Sequence, residues 1–267
     1  MLKLPRAMER RFYAMRLWYE GDRFRGFQRQ SGLPTVQQAL EAALPAALGH
    51  ARACPRLVAA ARTDAGVHAF GQVVSFSARA ALDPEALRRA LNAALPDGVA
   101  VVDAWAASPG FHARASARSR TYVYLVGSDL PEGLRPYAWS LPDPRAFPDG
   151  ASRIDPARLR AAIGQAVGEH DFSGLARPGG HGRARRTLLR AEVVSATWVP
   201  LHAIVVEGTG FARAVVRNLV GTAVAAGLGL APPTAVAERL ERGGRYRGVR
   251  APGWGLTLAS VAYPPHP

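Results

Sequence analysis

Two Asp-Pro dipeptides do most to constrain how this chain can fold. After Asp83-Pro84, apolar residues stand at Leu87, Ala90, Leu91, Ala94 and Leu95; after Asp155-Pro156 they stand at Leu159, Ala162, Ile163, Ala166 and Val167, the same five offsets. Aspartate caps a helix by accepting from its first free amides, and proline suits the first helical position, whose N–H has no intrahelical partner. Each dipeptide therefore opens a helix with one apolar face. Asp-Pro is a common helix start, so the echo alone does not establish duplication. It does point to two similar halves.

The rest of the pattern fills in those halves. Residues 11–20 read as a first strand, followed by a polar, basic loop. Thr35-Val36-Gln37-Gln38 then has the form of a capping box, with Thr35 as N-cap and Gln38 at the third helical position. Val36, Leu40 and Leu44 supply that helix's apolar face, and Pro45 is placed to kink or shorten it. Strands are expected at 56–60, 71–77, about 99–107 and 120–127. Residues 128–152, rich in Pro, Asp and Gly, read as a connecting segment between an N-terminal domain (1–127) and a C-terminal one (153–267). A Gly- and Arg-rich loop at 174–186 precedes two strands, a helix from about 211 to 226, a short helix near 233–242 and a closing strand. Strands that do not alternate regularly with helices imply the α+β class. The expected architecture is two similar ferredoxin-like halves with antiparallel sheets, helices on one face, and an active-site cleft between them.

Charge narrows the partner. Lys and Arg total 34 against 20 acidic residues, a formal net charge of +14, and Lys3 is the only lysine. Abundant Ala, Gly and Pro suit a GC-rich genome, which explains arginine in place of lysine but not an excess over acids. Such a chain ordinarily meets a polyanion, because neutralising phosphates releases counterions. A solvated basic surface is the plain alternative. Cys54 is the only cysteine, so no disulfide framework or thiolate metal cluster is expected, in keeping with a reducing cytoplasm. The N-terminal MLKLPRAMERRF lacks the apolar core of a secretory signal. The stretch 219–233 holds too few apolar residues to span a bilayer. A cytoplasmic protein with no membrane partner is expected.

Residues 61–70, ARTDAGVHAF, hold the first candidate chemistry. Asp64 lies just past a strand, and Gly66 can take the positive φ of a tight turn. A carboxylate positioned on such a loop can serve as nucleophile or general base. An Arg–Asp pair in a turn is also commonly structural, and at this point both readings stand.

Further blocks decide between them. RTDAGVHAFGQV follows YEGDRFRGFQRQ and a Val36-Gln37 helix start. FHAR (111–114), a strand with Tyr122 and Tyr124, HDFSGL (170–175), FARAVVRNLVGT (211–222) and APGWGLTLASVAYP (251–264) come after it. In that order, from Tyr19 to Tyr263, the chain resembles the tRNA pseudouridine synthase A family. Three positions depart from the family pattern: Ala61 stands for glycine, Glu20 for aspartate and Phe27 for tryptophan.

The resemblance implies isomerisation of uridine to pseudouridine in tRNA without cofactor or metal, at nucleotides thirty-eight to forty of the anticodon arm, by a homodimer sharing one tRNA. Asp64 matches the nucleophile, attacking ribose C1′ or uracil C6, and Arg217 matches the arginine paired with it. Arg62 matches the residue that enters the space left by the flipped base. Tyr122 matches the tyrosine packed on the uracil, and Leu256 an apolar residue of the uracil pocket. Without the resemblance these would read as a surface arginine, a strand tyrosine of the core and a core leucine. Arg23, Arg25, Arg29, Arg114, Arg118, Arg120, Arg183, Arg185 and Arg186 are candidates for the RNA backbone track. Phe24, Phe27 and Phe111 could stack on bases or anchor loops. His68 and His112 are expected to bond backbone or phosphate. Two other readings are a tRNA-binding or folding module without catalysis, and a phosphodiesterase. The last is disfavoured, since nuclease sites usually gather several carboxylates around metal.

Overall fold

Three helices begin on the side-chain caps that the sequence calls for. The Thr35 hydroxyl accepts from the Gln38 amide (3.4 Å) ahead of α1 (Val36–Ala47). Asp83 accepts from Glu85 (3.1 Å) ahead of α2 (Pro84–Ala94), and Asp155 from Ala157 and Arg158 (2.8 and 3.3 Å) ahead of α3 (Pro156–Gly164). Pro45 lies inside α1 without ending it. The echo between α2 and α3 is incomplete: α3 stops at Gly164, before the last two offsets, and although Ala166 stays buried, Val167 is exposed. The computed structural model describes residues 10–49, 55–177 and 185–265; Cys54 and Arg183 lie outside them.

The strands are β1 (Arg11–Tyr19), β2 (Val58–Ala59), β3 (His68–Ala78), β4 (Val99–Ala107), β5 (Ser119–Ser128), β6 (Trp139–Leu141), β7 (Gly168–Asp171), β8 (Arg185–Ser195), β9 (Leu201–Gly208) and β10 (Leu256–Ala262). The α+β class is as expected, but the separate sheets of the two halves are joined. One ten-stranded sheet runs β4-β1-β3-β10-β5-β9-β8-β7, with β2 paired to β3 and β6 to β5. The join is short. β10 lies antiparallel to β5 and meets β3 in parallel at Thr257↔His68 and Leu258↔Ala69. Gly71 lets the strands come this close, because a Cβ there would sit 2.4 Å from the Ala259 carbonyl oxygen.

Two remaining helices, α4 (Val215–Gly227) and α5 (Ala235–Arg242), pack with α3, while α1 packs on α2. α4 is buried along almost its whole length, as its run of Val, Ala and Gly requires. Among the described residues no helix is long and apolar enough to cross a membrane.

Candidate active site

The loop carrying Asp64 is fixed from beneath by a buried polar cluster. On β3, the fully buried Gln72 accepts from the Ala61 amide (3.2 Å) and donates to the Ala61 carbonyl (2.8 Å) and the Tyr19 hydroxyl (3.3 Å). Tyr19 in turn shares a 2.7 Å hydrogen bond with the Thr63 hydroxyl. Burial pushes the Tyr19 hydroxyl pKa up to about 12. The residues on both sides of Arg62 are thereby clamped. Farther along, the Thr63 carbonyl accepts from Phe27 (3.1 Å), the Asp64 carbonyl from Val67 (3.2 Å) and the Gly21 carbonyl from Gly66 (3.2 Å). Gly66 sits at φ +79°. Ala61 does not need the freedom of the family's glycine, since it is absent from the positive-φ residues of the chain.

Two guanidinium groups face the Asp64 carboxylate. Arg217, in the first turn of α4, places Nη1 3.4 Å from Oδ2 and donates from Nε to the Ala251 carbonyl (2.7 Å). These side chains are 18% and 25% exposed respectively. Burial lowers the Arg217 pKa, and the nearby Asp64 charge opposes that shift. Arg213 places Nε 3.8 Å from the other oxygen, Oδ1, and is 61% exposed. The sequence reading missed Arg213, although its place four residues before Arg217 was a usable signal. Ala214 between them lies at φ +66°, a left-handed conformation that alanine rarely adopts.

Tyr122 and Leu256 come from adjacent strands and are both buried. Tyr122 meets Phe211 edge to face at 5.3 Å. Burial drives its hydroxyl pKa well above the ordinary tyrosine value, and the Asp64 charge adds to the rise. The phenol is thus neutral near pH 7. Arg62 is exposed.

A cavity of about 760 Å³ adjoins the loop. Ala65, Gly66 and Arg217 line it, though Asp64 itself does not; Arg25, Arg145, Arg247 and Arg250 add four more cations against Asp22 and Asp143. The Arg145 guanidinium lies 5.9 Å above the Trp254 ring in the same wall.

The other candidate RNA ligands separate by burial. Arg25, Arg114, Arg118 and His112 are exposed, with His112 Nδ1 accepting from the Ala115 amide (3.1 Å). Arg23, Arg29 and Arg185 are exposed but paired with Glu20 (2.6 Å), Glu41 (2.8 Å) and Glu169 (2.5 Å). Half-buried Arg186 donates to the Arg185 carbonyl (2.7 Å).

Burial turns Arg120 away from the RNA track and, for His68, Phe24 and Phe27, leaves the inward one of the two expected roles. Arg120 is only 7% exposed and donates to the carbonyls of Ala60, Arg114 and Thr209 (3.1, 2.7 and 2.9 Å), so it ties loops together instead of meeting phosphate. His68 is 1% exposed and accepts at Nδ1 from the Gly21 amide (3.1 Å); it bonds backbone, beyond reach of RNA. Burial lowers its pKa against the Asp22 charge and the Pro136 and Trp254 backbones, which favour the charged ring, and no hydrogen bond is completed at Nε2. Phe24 and Phe27 are core residues that anchor their loop, Phe27 packing 6.4 Å from Tyr19. Phe111 is half-buried against Tyr263 (5.1 Å).

Frame and site together describe an α+β protein with a loop-borne carboxylate held between arginines beside a basic cavity. The family model described as tRNA pseudouridine synthase matches residues 17–114 and 162–264, and the chain belongs to that family. Three curated relatives carry the name tRNA pseudouridine synthase A. The one from Frankia casuarinae is 40% identical over 94% of this chain and 89% of its own length. That of Methylacidiphilum infernorum is 38% identical over 95% and 96%. That of Streptococcus equi subsp. equi is 36% identical over 92% and 96%.

Proposed function

We propose that Asp64 is the nucleophile with which this tRNA pseudouridine synthase converts uridine to pseudouridine. In that reaction the C1′–N1 bond breaks, the uracil turns, a C1′–C5 bond forms, the C5 proton leaves and N1 takes up a proton in its place. Substrate and product are isomers, so the chemistry needs no redox partner. The observation that carries the assignment is the 3.4 Å Asp64–Arg217 pair, with Asp64 on a loop whose backbone is clamped by Gln72. A fixed carboxylate at a basic surface can attack the ribose or the base and then leave. Tyr122, neutral and buried, supplies a ring face for the turned uracil. Leu256 adds apolar wall, and exposed Arg62 fills the vacated stack, where a planar guanidinium can bind phosphate or a base.

The target must leave its stack to reach Asp64, at a cost of about a few kcal/mol. The proposal extends to uridines at nucleotides thirty-eight to forty, to a homodimer sharing a tRNA, and to the cytoplasm as its place of action. Asp64→Asn tests the central assignment. It is expected to form no pseudouridine above background in bulk tRNA while keeping its far-UV circular dichroism; wild-type conversion by this variant would sink it. Pseudouridine maps of cellular tRNA with and without the protein test the positions, and light scattering tests the dimer.

A further inference from the structure

Both oxygens of Asp64 face a cation, yet the two cations are held very differently. Arg217 is mostly buried and anchored a second time on the Ala251 carbonyl (2.7 Å). Arg213 is 61% exposed, approaches Oδ1 only to 3.8 Å without a hydrogen bond, and has no other side-chain partner among the described residues. Its backbone is fixed, the carbonyl accepting from the Arg177 amide (3.0 Å) and the next residue turned to φ +66°. Its guanidinium can therefore move while its Cα stays in place.

We propose that Arg213 is an RNA-phosphate ligand held in reserve on the nucleophile. In the free protein it covers Asp64 Oδ1; when substrate binds it transfers to a backbone phosphate and leaves Oδ1 open for attack. The inference rests on Asp64 being the nucleophile. An oxygen that attacks carbon needs an accessible lone pair, and Oδ1 has the weaker, more exposed partner. A loose, solvent-exposed ion pair contributes little, whereas a phosphate offers a guanidinium two parallel charge-assisted bonds. Exchange from carboxylate to phosphate is therefore downhill, and it couples substrate docking to release of the nucleophile.

A binding cycle tests this without relying on turnover. Affinity of the full chain for an anticodon stem-loop RNA is measured across a salt series for wild type, Arg213→Gln, Asp64→Asn and the double variant. Removing one phosphate contact should weaken binding and make the log–log salt slope shallower by about one unit. Asp64→Asn should bind several-fold more tightly than wild type, because Arg213 no longer has a carboxylate to leave. That gain should vanish in the double variant, the non-additivity expected of coupled groups. Arg213→Lys keeps the charge and should restore the slope, which separates loss of contact from loss of fold. An unchanged slope in Arg213→Gln, or a gain from Asp64→Asn that survives in the double variant, overturns the proposal. Pseudouridine formation by Asp64→Asn would instead overturn the nucleophile assignment, and the binding cycle would still report on Arg213.

Discussion

At the scale of residues, the site depends on a side chain that never meets solvent. Gln72 satisfies the Ala61 amide and carbonyl and the Tyr19 hydroxyl at once. Gln72→Leu would fill similar space but strand the Ala61 amide and carbonyl, while the Tyr19 hydroxyl keeps its bond to Thr63. It should cost about 1–3 kcal/mol of stability per group left unpaired, read as a lower urea midpoint. Turnover at a temperature where the variant is folded should fall through kcat more than KM, since Arg62 and Asp64 would lose their fixed backbone. A folded variant with wild-type kcat would show that the clamp serves stability alone. Asp64 and Arg217 were legible because a run of matching motifs surrounds each. For His68 and Phe27 two readings stood side by side, because polar and aromatic types in a loop do not say which side faces inward. Here Gly21 and Tyr19 draw them into the core. Arg213 looked like one more arginine among many.

At the scale of elements, α4 matters for how it begins. Most helices here start on a Ser/Thr/Asp-type cap or a proline, signals that made α1, α2 and α3 readable. α4 has neither: its N-cap is Ala214 in a left-handed turn, with no side-chain cap bond. That turn sets Arg213 and Arg217 on opposite oxygens of one carboxylate. An alanine held there costs about 1–2 kcal/mol. Ala214→Gly should therefore hold or raise the melting temperature, its relief partly offset by a more flexible unfolded chain. Ala214→Val should lower the melting temperature and weaken turnover, because a β-branched side chain tolerates positive φ less well. The reverse order of these two variants would mean the turn is not strained. Strands β6 and β7 escaped the sequence reading for a different reason. Each has three or four residues, and β7, GEHD, carries no apolar alternation to betray it.

At the scale of the whole molecule, the distance between Asp64 and Arg217 is set by the seam that joins the sheet. β3 starts at His68, four residues after the carboxylate, and β10 starts shortly after Ala251, on which Arg217 is anchored. The paired ladder of the seam is two residues on each strand, and close packing of Gly71 on Ala259 and of Gly253 on Ala65 extends it. The α+β class could be read from the order of elements, but the single sheet could not, because pairing between strands far apart in sequence leaves no local pattern. Gly71 offers the means to test the seam. A methyl group there would lie 2.4 Å from the Ala259 oxygen and 2.9 Å from the Ser260 Cα, so β10 must shift away. Gly133 makes a control, since a Cβ there meets nothing within 4 Å. Gly71→Ala should lose about 1–3 kcal/mol, as overpacked cores do, and Gly133→Ala should change stability little. Because the shift moves Arg217's anchor relative to Asp64, Gly71→Ala should also lose turnover at temperatures where it is fully folded. The control should not. Wild-type turnover in folded Gly71→Ala would show that each half carries its part of the site independently of the join.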